Sequence, residues 1–145
     1  MTESIPPTST TKAPPFDADA REFLERWRLA PNRRVRDAMA GDIDRVVACA
    51  IHLWPLWIAV IGPFAVLLPV VLWLAFRRAS VFVDDHGREA MNAQLTMLAL
   101  LLVPCLGWIA LIPWTVAWLA SMVRAAVAAA GSELFRYPAL LRPIR

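Results

Sequence analysis

The chain is 145 residues long, with 59% apolar residues, 19% charged residues and a formal net charge of +3. That length allows one domain and leaves no room for two independent cores. The apolar excess over the ~45–50% usual in soluble domains, with a mean hydropathy of +0.51, excludes an ordinary soluble enzyme.

Residues 1–15 are rich in Ser, Thr and Pro and are expected to be disordered. They lack the early apolar core of a signal peptide, so the first span is expected to direct insertion itself. Ala20, Phe23, Leu24 and Trp27 then recur at helical spacing, opposite Arg21, Glu22, Glu25 and Arg28. This predicts a short amphipathic cytoplasmic helix near 19–29, capped by Asp17 or Asp19 and stopped by Pro31. It is read as lying on the inner leaflet or on the bundle, with docking of a partner as the sharper alternative. Residues 1–41 together make a cytoplasmic tail.

Residues 46–76 and 90–123 contain no Asp, Glu, Lys or Arg. About 20 helical residues cross a ~30 Å hydrocarbon layer, so each run is long for one upright span and slightly short for two. Gly62-Pro63 interrupts the first run and residues 104–107 (Pro-Cys-Leu-Gly) interrupt the second, where a hairpin would turn. The predicted fold is an all-α membrane protein with four transmembrane helices arranged as two hairpins. The spans lie near 45–61, 63–78, 86–104 and 107–130, within a membrane domain covering 42–140. Residues 141–145 form a cytoplasmic C-terminal tail. Arg45, Arg77, Arg78 and Arg124 are expected to snorkel at the span ends. All 15 Lys and Arg residues then fall on one side, which predicts cytoplasmic termini and a cytoplasmic central loop. The net positive charge belongs to the C-terminal tail and reads as a basic rim toward anionic lipid, not as a nucleic-acid footprint. Trp54, Trp57 and Trp108 near the tips and Trp73 near the inner face read as an aromatic belt, with a ligand-binding aromatic box as the alternative.

Polar residues within the spans are the candidates for chemistry. His52 in the first span, with Asn92, Gln94 and Thr96 in the third, suggests an interhelix polar cluster of His52, Asn92 and Gln94. A proton or ligand role is the sharper reading of the same residues. Asn92 and Gln94 lie ~200° apart around a helix, and Asn92 is expected to face the bundle. The central loop carries Asp84, Asp85, His86 and Glu89, which have metal-capable side chains. Capping of the third span by Asp84 or Asp85 is the preferred reading over a metal site. Cys49 and Cys105 are expected at different depths and reduced. The sequence has no GxxxxGK[ST], HExxH or GxSxG motif, so no catalytic residue, cofactor-binding residue or metal ligand is assigned. No enzyme and no cofactor are expected.

The string from Ser80 to Gln94 (S-V-F-V-D-D-H-G-R-E-A-M-N-A-Q), preceded by His52-Leu53, Gly62-Pro63 and Trp73-Leu74, carries a resemblance. It resembles small bacterial membrane proteins of the domain of unknown function forty-eight seventy, which are distantly similar to the Tic-twenty component of chloroplast protein import. The likeness continues into Ala128-Ala129-Ala130-Gly131 and Tyr137-Pro138, and covers about residues 42–140. Met91, Ala93 and Trp54-Pro55 depart from the family pattern. The resemblance implies four helices, multi-pass location in a bacterial inner membrane, and no particular reaction. The expected role is a non-enzymatic subunit or accessory of a membrane assembly, in contact with the lipid bilayer and with a protein partner or further copies of itself. The alternative is an oligomeric channel or transporter component, implied only by the distant import relative.

Overall fold

The computed structural model describes residues 15–144, which are mostly helical. Residues 1–14, and with them most of the tail expected to be disordered, lie outside the described residues.

The first helix, α1 (Pro15–Arg26), ends three residues earlier than its apolar spacing suggests. Trp27 leaves it to begin a small antiparallel hairpin of β1 (Trp27–Leu29) and β2 (Val35–Asp37), in register Trp27↔Asp37, Arg28↔Arg36 and Leu29↔Val35. Arg26 at the helix end explains the early exit. Its guanidinium donates through Nε and Nη2 to Oδ2 of buried Asp37 at 3.1 and 2.8 Å, joining helix end to strand end. Pro31 falls in the connecting turn, where its missing N–H costs nothing. Phe23 and Leu24 remain 62% and 68% exposed, so nothing among the described residues covers the apolar face of α1.

α2 (Asp42–His52) starts with Asp42 and Asp44 in its first turn, favoured by the helix dipole, and the Asp44 carboxylate accepts from the Gly41 N–H at 3.0 Å. It buries Val47, Ala48, Ile51 and His52. Pro55 disfavours helix at Trp54, and the chain passes into a 3-10 turn at Trp54–Trp57. A single helical turn, α3 (Ile58–Ile61), reaches Gly62, whose φ of 62° and ψ of −147° only glycine adopts freely. The chain reverses there. A second 3-10 stretch (Gly62–Leu67) packs back on the first and leads into α4 (Leu68–Phe76), which returns alongside α2.

α5 (Val81–Leu102) and α6 (Leu106–Ala130) form the longer hairpin. The side chain of Ser80 caps α5, accepting from the Val83 N–H at 3.3 Å, so neither Asp84 nor Asp85 is the cap. The helix consequently begins five residues before the position expected for the third span. A serine at the residue preceding Val81 can hold an open helix end, and the acids after it gain from the dipole without capping. Pro104 and Cys105 (φ 61°) make the turn into α6. Gly107 is required there, because a Cβ would lie 2.1 Å from the Leu100 carbonyl oxygen.

α2 sits at the centre of the bundle, touching α4, α5 and α6. The buried core gathers at one end, around Val47, Ile51, Val83 and Ala90, with Ala48, Phe82 and Ala129 beside them. At the other end Val60, Phe64, Leu102 and Leu106 are 72%, 73%, 71% and 77% exposed. Two stretches, Trp54–Phe76 and Leu106–Ala130, are long and apolar enough to cross a membrane. The first of these is not one straight helix, since it is divided at Gly62. Trp54 departs from the expected belt: it is buried, with its ring 5.9 Å from that of Trp118.

Candidate functional site

Asp85, Glu89, Asn92 and Thr96 follow one another at spacings of four, three and four along α5, which places them in a single stripe. The chain after α6 is drawn along that stripe as a strap. Arg136 grips Asp85 through two 2.6 Å hydrogen bonds, one from each terminal nitrogen. The Tyr137 N–H donates to Glu89 Oε1 at 2.7 Å, and the Leu141 N–H donates to Thr96 Oγ1 at 3.0 Å. The strap then turns back. Asn92 holds the backbone of Ile144 from both sides, donating to its carbonyl at 3.0 Å and accepting from its N–H at 3.1 Å. Arg142 reaches from the strap to Glu89 Oε1 at 3.0 Å and donates to the Tyr137 carbonyl at 2.9 Å. Glu89 is buried, so these donors replace the water its carboxylate has lost.

Beneath the strap runs a second chain of hydrogen bonds with a fixed direction. His86 Nε2 lies 3.2 Å from the Glu133 carbonyl oxygen, which only accepts, so that nitrogen carries a hydrogen. In the neutral ring His86 Nδ1 is then an acceptor, and at 2.7 Å it takes the hydrogen of His52 Nε2. His52 Nδ1 in turn accepts from the Tyr137 hydroxyl at 3.0 Å. Each of the three side chains is satisfied by one tautomer set, and all three are buried. Burial, with the negative charge of Glu89, pushes the Tyr137 hydroxyl well above its ordinary pKa, which keeps it a donor.

Asp84 looks the other way. It accepts from the Trp73 indole N–H at 2.8 Å and from Arg88 at 2.5 Å, the latter across one helical turn. Burial alone would raise its pKa, but the hydrogen bonds from Arg88 and Trp73 and the charges of Arg88 and Arg77 hold it below its ordinary value.

The candidate residues are therefore distributed among separate contacts. His52 meets His86 and Tyr137, Asn92 meets the end of the strap, and Gln94 donates to the Val66 carbonyl at 3.0 Å. Among the described residues no hydrogen bond joins His52 to Asn92 or Gln94. The reason is rotational: Asn92 and Gln94 leave α5 on different sides, and His86, not Asn92, shares the face that meets α2. Asp84, Asp85, His86 and Glu89, expected in a loop, occupy the first turns of α5, and each meets a different set of partners. Among the described residues no group of three His, Cys, Asp or Glu side chains is placed to hold a metal ion. Sequence reasoning missed Tyr137, Arg136 and Arg142 as partners of the site. The available signal was the isolated Arg136-Tyr137-Pro138 cluster beyond the last apolar span, containing the single tyrosine of the chain.

Comparison with known proteins corrects the resemblance drawn from the central string. The family model that matches, over residues 43–144, is that of the magnetosome magnetite crystal formation protein family, and neither the domain of unknown function forty-eight seventy nor a Tic-twenty-like family is supported. The residues that carried the earlier likeness cap α5, let Trp73 approach Gly87 and clamp the strap. They report an architecture, and architecture alone does not name a family. No curated protein and no solved structure matches the chain. The match extends from the first turn of α2 to the end of the strap, and the chain belongs to the magnetosome magnetite crystal formation protein family, a membrane-associated family of bacteria.

Proposed function

We propose that the chain is a non-enzymatic membrane subunit whose two helical hairpins make four crossings, with both termini and the α4–α5 connection on the cytoplasmic side. The process it serves is taken from the description of its family, formation of magnetite crystals at the magnetosome membrane. The observation that carries the subunit reading is the use made of the buried polar residues. Glu89, Asn92, Thr96, His52, His86 and Tyr137 satisfy one another and the strap, as residues of a scaffold do. The break at Gly62 supports two crossings in the first hairpin, because both arms of Trp54–Phe76 lie side by side. The large exposed apolar residues at the far end support burial of that end in lipid.

The subunit reading is tested by mild detergent extraction from the host membrane and mass determination of the extracted species. A particle larger than the 16.2 kDa chain is expected, containing further copies or a second protein. A lone monomer in every mild detergent overturns it. The assignment of process is tested separately, by deleting the gene in a magnetite-forming host. Crystals unchanged in number, size and shape overturn that part.

A further inference from the structure

A cavity of about 550 Å³ opens between the β1–β2 turn, α6 and the start of the strap, and four of its lining residues are arginines: Arg33, Arg34, Arg124 and Arg136. Ser121, one helical turn before Arg124, adds a hydroxyl, and no carboxylate lines the cavity. Two of the guanidiniums are held in place by carboxylates that do not line it. Arg136 is gripped by Asp85, and Arg34 lies 3.4 Å from Glu133 and 5.2 Å from the Phe135 ring centre. Arg33 and Arg124 have no carboxylate partner among the described residues. Arg33 also sits at φ 63°, a left-handed conformation costly for a side chain of this size. The turn that imposes it is fastened by Asn32, which donates to Glu133 at 2.8 Å, so Arg33 is kept at the cavity mouth.

Four arginines around a cavity that no carboxylate lines, two of them without a carboxylate partner among the described residues, make a site for a compact, multiply oxygenated anion. We propose that this cavity binds one phosphate group, carried by the headgroup of an acidic phospholipid or as free phosphate. Its depth favours the headgroup. Arg124 lies about 27 Å along α6 from Leu106, close to the ~30 Å thickness of the hydrocarbon layer, which places it at the level of lipid phosphates. The cavity is also larger than a phosphate ion requires and within the usual range for small-molecule sites. The depth comparison rests on the membrane placement proposed above, whereas the arginine cluster does not.

The test uses the full chain in neutral detergent, with native mass spectrometry during titration with phosphatidylglycerol or phosphatidylcholine, and calorimetry with inorganic phosphate. One phosphatidylglycerol per chain is expected at saturation, with no comparable phosphatidylcholine adduct. Arg33→Gln with Arg124→Gln should weaken that binding about tenfold or more, and Arg77→Gln with Arg78→Gln, which removes the same charge elsewhere, should not. Saturable phosphate binding lost in the first double variant, without lipid selectivity, supports the site and identifies its ligand as the free ion. Equal weakening by both double variants, or no binding of either ligand by the folded wild-type chain, overturns the proposal. Since the measurement is made in detergent, a failed site and a failed membrane topology give separate results.

Discussion

Tyr137 shows how much one side chain carries in this protein. Its hydroxyl donates to the His52 nitrogen that the tautomers fixed at the Glu133 carbonyl leave as an acceptor, and its backbone N–H is held by Glu89. Tyr137→Phe leaves His52 Nδ1 buried without a donor, and should cost about 1–3 kcal/mol. Thermal unfolding followed by circular dichroism in detergent should show a lower midpoint with helix content unchanged below it. Asp84 makes a pH-dependent contribution whose sign is fixed by its lowered pKa. The stabilisation is present above the ordinary carboxylate range and is lost as pH falls through the lowered value. The difference in melting temperature between wild type and Asp84→Asn should therefore narrow on acidification, and a constant difference would remove the Trp73 and Arg88 contacts as its cause. The sequence marks His52, Asp84, Asp85, His86, Glu89 and Asn92 as unusual because they are polar beside apolar runs. It does not say which partner each one meets, since Arg136 is 51 residues from Asp85 and Tyr137 is 85 from His52.

Among the elements, α5 has the most exacting requirements. One side accepts the strap through Asp85, Glu89, Asn92 and Thr96, and another lies so close to α4 that Gly87 has Trp73 against it. A Cβ at position 87 would stand 2.2 Å from Trp73 Cδ1. Gly87→Ala should cost about 1–3 kcal/mol through displacement of the indole. It should also change the tryptophan emission, because the Trp73 hydrogen bond to Asp84 depends on that position. The helix α6 begins at 106, where the charge-free run and its Pro–Gly break place a span from about 107, whereas α5 begins at 81, five residues before the span expected from 86. The β1–β2 hairpin was not legible. Its strands are only three residues long, too short for the alternation of Trp27, Arg28 and Leu29 to read as a strand, and Trp27 also falls on the helical spacing of Ala20, Phe23 and Leu24. They exist because Asp37, Ser132 and Glu133 bring the hairpin against the segment after α6, with the Asp37 N–H donating to the Ser132 carbonyl at 2.8 Å.

At the scale of the whole molecule the two ends differ in kind. One end buries imidazoles, a carboxylate and the strap, and the other exposes large apolar side chains. Cys105, in the α5–α6 turn, belongs to the apolar end, while Cys49 on α2 lies at the polar end with its thiol against the Ala126 carbonyl. With four crossings, a membrane-impermeant thiol reagent applied to intact cells should label Cys105 and spare Cys49. Labelling of Cys49 instead, or of Cys105 only after permeabilisation, would contradict that topology. Composition and the absence of charge from two long runs suffice to place the chain in a membrane, because no packing arrangement offsets so much apolar surface in a domain this small. Gly62 and residues 104–107 suffice for the turns, because a missing donor or a positive φ is a local property of the backbone. The site was decided only by the tertiary structure. Its contacts join α2, α5 and the strap across long separations in the chain, and a hydrogen bond is specified by the three-dimensional meeting of its partners, which spacing along one helix does not encode.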